Sequence, residues 1–106
     1  MKKIIPHIQT LVKNRKYRLT FHGEEERDAD QISKDDIEEA LLSDKLEVIE
    51  DYVNDPKGHS CLLLGFTKKD KLIHFVCGLG MQNMLIIITL YIPDSELWIE
   101  WRKRRP

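Results

Sequence analysis

The sequence is poor in the residues that staple small folds or fill loop-rich ones: 2 Cys, 4 Pro and 5 Gly among 106 residues. Cys61 and Cys77 are too few for a disulfide scaffold and stand at no metal-site spacing, so reduced thiols are expected. No apolar run approaches the ~18–20 residues of a membrane span. The first residues, Met1 to His7, lack the apolar stretch and small-residue cleavage site of a signal peptide. A cytoplasmic protein without a membrane partner is therefore expected. Also missing are a phosphate-binding glycine loop, a zinc motif and a glycine-flanked nucleophilic serine, so neither cofactor nor metal is expected. Gly78-Leu79-Gly80 is a fragment of a dinucleotide fingerprint without its helix and reads as a turn.

What is present, 42% hydrophobic and 33% charged residues, suits one compact domain spanning residues 1–106. A core of that size leaves room for a surface cleft but not for a large internal cavity. The net charge of −1 conceals a strong segregation. Residues 1–18 hold six Lys/Arg and no acids, residues 19–55 three bases and fourteen acids, and residues 56–106 eight bases and four acids. If the two basic ends meet, the molecule gains a cationic surface able to hold a polyanion such as RNA. The acidic middle either faces a basic partner or is a solvated helical surface.

Ile5, Ile8, Leu11 and Val12 recur at helical spacing, with Pro6 suited to a first turn, which predicts a helix over about 5–14. Tyr17 to Phe21 alternates like a short strand, and Gly23 to Asp30 reads as an acidic helix. Ser33 and Asp36 form a capping box, with Ile32 and Ile37 at the staple positions, opening a helix from 34 to about 42. Strands follow over 46–52, 60–66, 72–77 and 84–91, the last apolar at nearly every position, as a central strand must be. Asp94, acidic Glu96 and the terminal Arg102, Lys103, Arg104 and Arg105 have the polarity of a closing helix anchored by Trp98 and Trp101. The outline is α+β: N-terminal helices packed on a three- or four-stranded, mainly antiparallel sheet, then a C-terminal helix.

Histidines and basic residues near element ends are the candidate chemistry. His22 lies at a strand-to-helix junction, where a side chain projects from a rigid frame to exchange protons, or else simply bonds Glu25 or Glu26. His74, mid-strand, reads as a satisfied core histidine or a catalytic group; His59 and His7 read as exposed. If the hairpin turns at 69 and 70, Cys61 and Cys77 are neighbours. Lys57, Ser60 and Tyr91 are polar residues beside apolar strands. RNA cleavage without metal needs a base for the ribose 2′-hydroxyl, a cation for the phosphorane and an acid for the 5′ oxygen, and this inventory can supply them.

The run Tyr17-Arg18-Leu19-Thr20-Phe21-His22 with Glu24 and Glu25, then Ile32-Ser33 and Ile37 to Leu42, resembles a widespread bacterial family known as a domain of unknown function. Val48 to Tyr52, Asp55-Pro56-Lys57-Gly58, Ser60-Cys61-Leu62, His74 to Gly78, Ile87-Ile88-Thr89 with Tyr91, and Pro93-Asp94 continue the likeness over about 17–105, with residues 1–16 as an N-terminal extension. That family is similar to RelE/ParE-like and BrnT-like toxins and is often encoded beside a YgiT-type zinc-finger antitoxin. The resemblance implies a RelE-like toxin fold and a metal-independent endoribonuclease acting on RNA, including ribosome-bound mRNA, silenced by that antitoxin. Many members carry arginines where this chain has Glu26 and Asp30, so no phosphate contact is implied there.

On this reading His22 is the general base or acid, with His74 and Tyr91 as further catalytic candidates, and Lys57 stabilises phosphate. Arg18, Arg27, Arg102, Arg104 and Arg105 are the expected RNA contacts. The alternative is a non-catalytic protein-interaction module, favoured by the acidic middle and by the want of a recognisable catalytic motif.

Overall fold

The chain is described by a computed structural model covering residues 4–80 and 83–106. Met1, Lys2 and Lys3, counted above in the basic segment, lie outside the described residues. Helix α1 (Ile4–Lys13) turns Ile8, Leu11 and Val12 inward, as its apolar spacing predicts. Strand β1 is shorter than expected, Tyr17–Leu19, because Thr20 already caps helix α2 (Phe21–Ala29). The Thr20 hydroxyl accepts from the Gly23 N–H at 3.0 Å and donates to the Ile88 carbonyl at 2.8 Å, so one side chain starts the helix and pins it to the sheet. Phe21 consequently leaves the strand and stands 80% exposed.

Helix α3 (Lys34–Leu41) opens on the full capping box. Ser33 and Asp36 each accept the other's backbone N–H at 3.0 Å, an arrangement contributing about 1 kcal/mol. Ile32 and Ile37 are buried around it. The strands that follow are β2 (Glu47–Tyr52), β3 (Ser60–Phe66), β4 (Leu72–Gly78) and β5 (Leu85–Tyr91).

These strands form a five-stranded sheet in the order β1-β5-β4-β3-β2. β2 to β5 pair antiparallel, whereas β1 runs parallel to β5, with Tyr17 opposite Leu85 and Leu19 opposite Ile87. One face, bearing Cys61 and Leu63, then Ile73, Phe75 and Cys77, then Leu85, Ile87 and Leu90, buries against α1 and α3 and forms the core. α3 comes so close to β3 that only a glycine fits at Gly65, against Ala40. Gly23 does the same for α2, which lies along the edge of β5 beyond the end of β1.

The expected fold is corrected in three respects. The sheet has five strands rather than three or four, and it is mixed rather than mainly antiparallel, because β1 adds to β5 in parallel. The helices therefore do not simply precede the sheet, since β1 between α1 and α2 belongs to it. The C-terminal helix does not form: Trp98–Ile99 (β6) and Lys103–Arg104 (β7) make a two-stranded hairpin. Its turn, Glu100-Trp101, has φ of 50° and 67° at its two residues and closes with Arg102 N–H on the Ile99 carbonyl at 3.1 Å. Two residues in the left-handed region make a type I′ turn, although neither is glycine. The helical charge pattern loses to tertiary contacts: Trp98 buries against His74, while Arg102 and Arg104 reach Glu47 and Glu50 on β2. A helix this short gains little stability on its own.

Candidate functional site

One group of polar side chains gathers at the β2–β3 connection, a second stands on the sheet face away from the core helices, and a third cluster lies at the β1 edge. The first is the cleft built by the β2–β3 connection. Asp55 organises that turn: its carboxylate accepts the Lys57 N–H at 3.0 Å and the Ser60 hydroxyl at 2.8 Å. Those two bonds, the backbone one first, hold the Asp55 carboxyl below its usual range. Gly58, at φ of 108°, then packs on Gly80 of the β4–β5 connection, and the Leu79 N–H donates to the His59 carbonyl at 2.7 Å. Lys57, Gly58, His59 and Ser60 thereby line a cleft of about 250 Å³ whose floor includes Gly78, Ile86 and Ile88.

At the edge of this cleft His59, one of its lining residues, has Nε2 2.5 Å from Oδ1 of Asp51, which itself lies outside the cleft on the side of its ladder partner Cys61. A carboxylate can only accept, so Nε2 carries the proton, and in the neutral ring Nδ1 keeps its lone pair. An imidazole oriented by a carboxylate is the arrangement of a positioned general base, and Lys57, lining the same cleft, is a cation able to stabilise an anion there. His59 read from sequence as a mobile, exposed loop residue. The missed signal is the turn Asn54 to Gly58, which folds the chain back so that Asp51, opposite Cys61 in the ladder, comes near His59.

The second group is locked. His74 is fully buried and opposite Tyr91, its ring edge-on to Trp98 at 4.5 Å. Its Nε2 lies 2.7 Å from the Trp101 carbonyl, which must accept, so Nδ1 is left to accept the Tyr91 hydroxyl at 3.2 Å. Burial pushes the imidazole's pKa down and that of the Tyr91 phenol up. With both nitrogens engaged, His74 holds the strained Glu100-Trp101 turn in place and is the satisfied core histidine of the two sequence readings. Arg104 stacks over Trp98 at 4.7 Å and pairs with Glu50 at 2.9 Å.

The structure thus brings His74 and Tyr91 together but does not join them to Lys57: His74 stands four residues along β4 from Gly78 at the cleft, roughly 13 Å. His22, exposed in the first turn of α2, lines none of the described cavities and has no described hydrogen bond through its ring. Arg18 and Arg27 share a cavity of about 280 Å³ at the β1 edge, with Arg27 paired to Glu24. Arg105 donates to the Ser95 carbonyl. Among the described residues the two basic ends do not meet. Arg15 and Arg18 lie at the β1 edge and Arg102 and Arg104 at the β2 edge, opposite sides of a sheet roughly 19 Å wide. The cationic surface that would follow from their meeting is not formed by these residues, and Arg102 and Arg104 are paired with Glu47 and Glu50.

Cys61 and Cys77 are opposite each other in the ladder, as the hairpin spacing predicts, and both are fully buried. Burial raises the Cys61 thiol to about 12 and lifts the Cys77 thiol well above its usual value, which suits packing and not redox chemistry. Among the described residues no three His, Cys, Asp or Glu side chains stand together as a metal-binding group. None of the described helices is long and apolar enough to cross a membrane.

Comparison with known families matches residues 19–92 to the domain of unknown function DUF4258. The match runs from the end of β1 to just past β5, so it includes Asp51, His59 and the cleft that His59 lines, and stops short of the terminal hairpin. No curated protein and no solved structure matches the chain.

Proposed function

The chain belongs to the DUF4258 family, and on that premise we propose that it is the toxin of a bacterial toxin–antitoxin pair, a metal-independent endoribonuclease acting on mRNA. The observation that supports this reading is the contact of Asp51 with His59, a residue that lines an open cleft together with Lys57. His59, rather than His22, takes the catalytic role. Its Nδ1 removes the proton from the ribose 2′-hydroxyl, the freed oxygen attacks the adjacent phosphorus, and Lys57 stabilises the phosphorane charge. The 5′ oxygen leaves with a proton from water, giving a 2′,3′-cyclic phosphate. Asp51 keeps the imidazole in the tautomer that presents Nδ1 as the base. A zinc-finger antitoxin is the proposed silencing partner.

The test is cleavage of an RNA oligonucleotide and of ribosome-bound mRNA in the presence of a chelator. Wild type should cut. His59→Ala should lose ~10²–10⁴-fold, the usual share of a general base, while His22→Ala should cut like wild type. Cleavage by His59→Ala at the wild-type rate removes the proposed base. No cleavage of any RNA by the wild type removes the nuclease.

One observation favours the second reading, a non-catalytic interaction module. Arg102 and Arg104, expected to hold RNA, are both paired with carboxylates on β2. Tight binding of a partner protein by a wild type that cleaves nothing would select it.

A further inference from the structure

The β1 edge borders a second cavity, separate from the cleft. In the parallel ladder Lys16, Arg18 and Thr20 turn their backbone groups to β5, as shown by the Leu85 N–H on the Lys16 carbonyl and the Thr20 N–H on the Ile87 carbonyl, each at 3.0 Å. By alternation the N–H and C=O groups of Tyr17 and Leu19 point the other way, and among the described residues they have no hydrogen-bond partner. They face the cavity of about 280 Å³ between β1, the α2 face bearing Glu24 and Arg27, and the start of α3 at Lys34, Ile37 and Glu38.

An open strand edge is a template for one more strand, and proteins ordinarily cover or blunt it. Here the groove walls are cationic instead. Both carboxylates are occupied: Glu24 pairs with Arg27 at 2.8 Å and Glu38 accepts the Tyr17 hydroxyl at 2.5 Å. Arg15, Arg18 and Lys34 have no described salt bridge. Arg15 is held at φ of 58° at the entrance to β1, which fixes the start of the edge. The opposite edge, β2, is acidic but its Glu47 and Glu50 are already paired with Arg102 and Arg104, so a second copy of this chain is not the natural complement.

We propose that the β1 edge takes an extended, Asp/Glu-rich segment of a partner protein as a sixth strand, its backbone pairing with Tyr17 and Leu19 and its carboxylates meeting Arg15, Arg18 and Lys34. Backbone pairing supplies the affinity and the cations select the sequence. Free main-chain donors and acceptors in alternation match a peptide and have no counterpart in RNA, which would use the cations alone.

The experiment measures fluorescence anisotropy of a labelled peptide alternating glutamate and valine on the intact protein, against its lysine–valine counterpart, an N-methylated glutamate–valine peptide, and a short oligouridylate. The acidic peptide should bind and the basic one should not. The double variant R18E/K34E should weaken binding roughly tenfold or more. N-methylation at the pairing positions, which removes the backbone donors without changing charge, should abolish it. Equal binding of the N-methylated peptide overturns strand addition, as does displacement of the acidic peptide by the oligouridylate at equal concentration. Sedimentation showing dimers that dissociate in R18E/K34E would mean that a second copy covers the edge, and would also overturn the proposal. None of these readouts depends on RNA cleavage.

Discussion

Replacing Gly65 by alanine should destabilise the protein although alanine suits a strand at least as well. A Cβ built there stands 2.7 Å from the Ala40 carbonyl oxygen, 2.9 Å from the Ala40 Cβ and 3.0 Å from the Ala40 carbonyl carbon. Carbon–carbon contacts are at their best near 3.5–4.0 Å, and all three atoms lie on or next to the α3 backbone. No side chain can rotate aside, so α3 must move off the sheet as a body. Overpacking of this type costs ~1–3 kcal/mol, against ~0.4–1 kcal/mol recovered from the lower entropy of the unfolded chain. The net loss is about 1–2 kcal/mol, a fall in Tm of roughly 4–16 °C for a domain of this size. Thermal and urea unfolding of Gly65→Ala beside Gly78→Ala measures it. The control position has its nearest neighbour at an ordinary 3.6 Å, from the end of the Ile88 side chain, and should stay within ~0.5 kcal/mol of wild type. A Gly65→Ala protein as stable as wild type would show that α3 does not rest on β3 at this distance. Because Lys34, Ile37 and Glu38 at the start of α3 wall the β1-edge groove, the same substitution should also weaken acidic-peptide binding.

His74 should shape the acid limb of stability. Burial lowers its folded pKa below the ordinary 6.5, so the unfolded chain binds the proton more readily. Its contribution is complete above about pH 6.5 and is lost as pH falls toward the folded pKa. Melting temperature followed from pH 7.5 to 5 should fall in wild type and flatten over that window in His74→Phe; parallel curves would contradict the assignment. The two buried thiols should resist iodoacetamide at pH 8 in the native protein and react only on unfolding, since both are held protonated. Labelling at the rate of a free cysteine would show the β3–β4 pair to be open to solvent.

Local chemistry in the sequence was enough to determine the α3 capping box at Ser33 and Asp36, the inward face of α1, the β3–β4 hairpin and the Cys61–Cys77 pairing. Each depends on residues within one element or across one short turn, where spacing alone sets geometry. Tertiary structure decided the rest. Nothing in Tyr17 to Leu19 announces a parallel partner some seventy residues away at β5, and the terminal segment has the charge order of a helix until Glu47 and Glu50 on β2 draw its arginines into a hairpin. The candidate site divides the same way. The turn that carries Lys57 was legible because it is local, whereas the Asp51–His59 contact and the separation of the two basic groups follow from which strands pair, and strand pairing is a free-energy balance over the whole sheet.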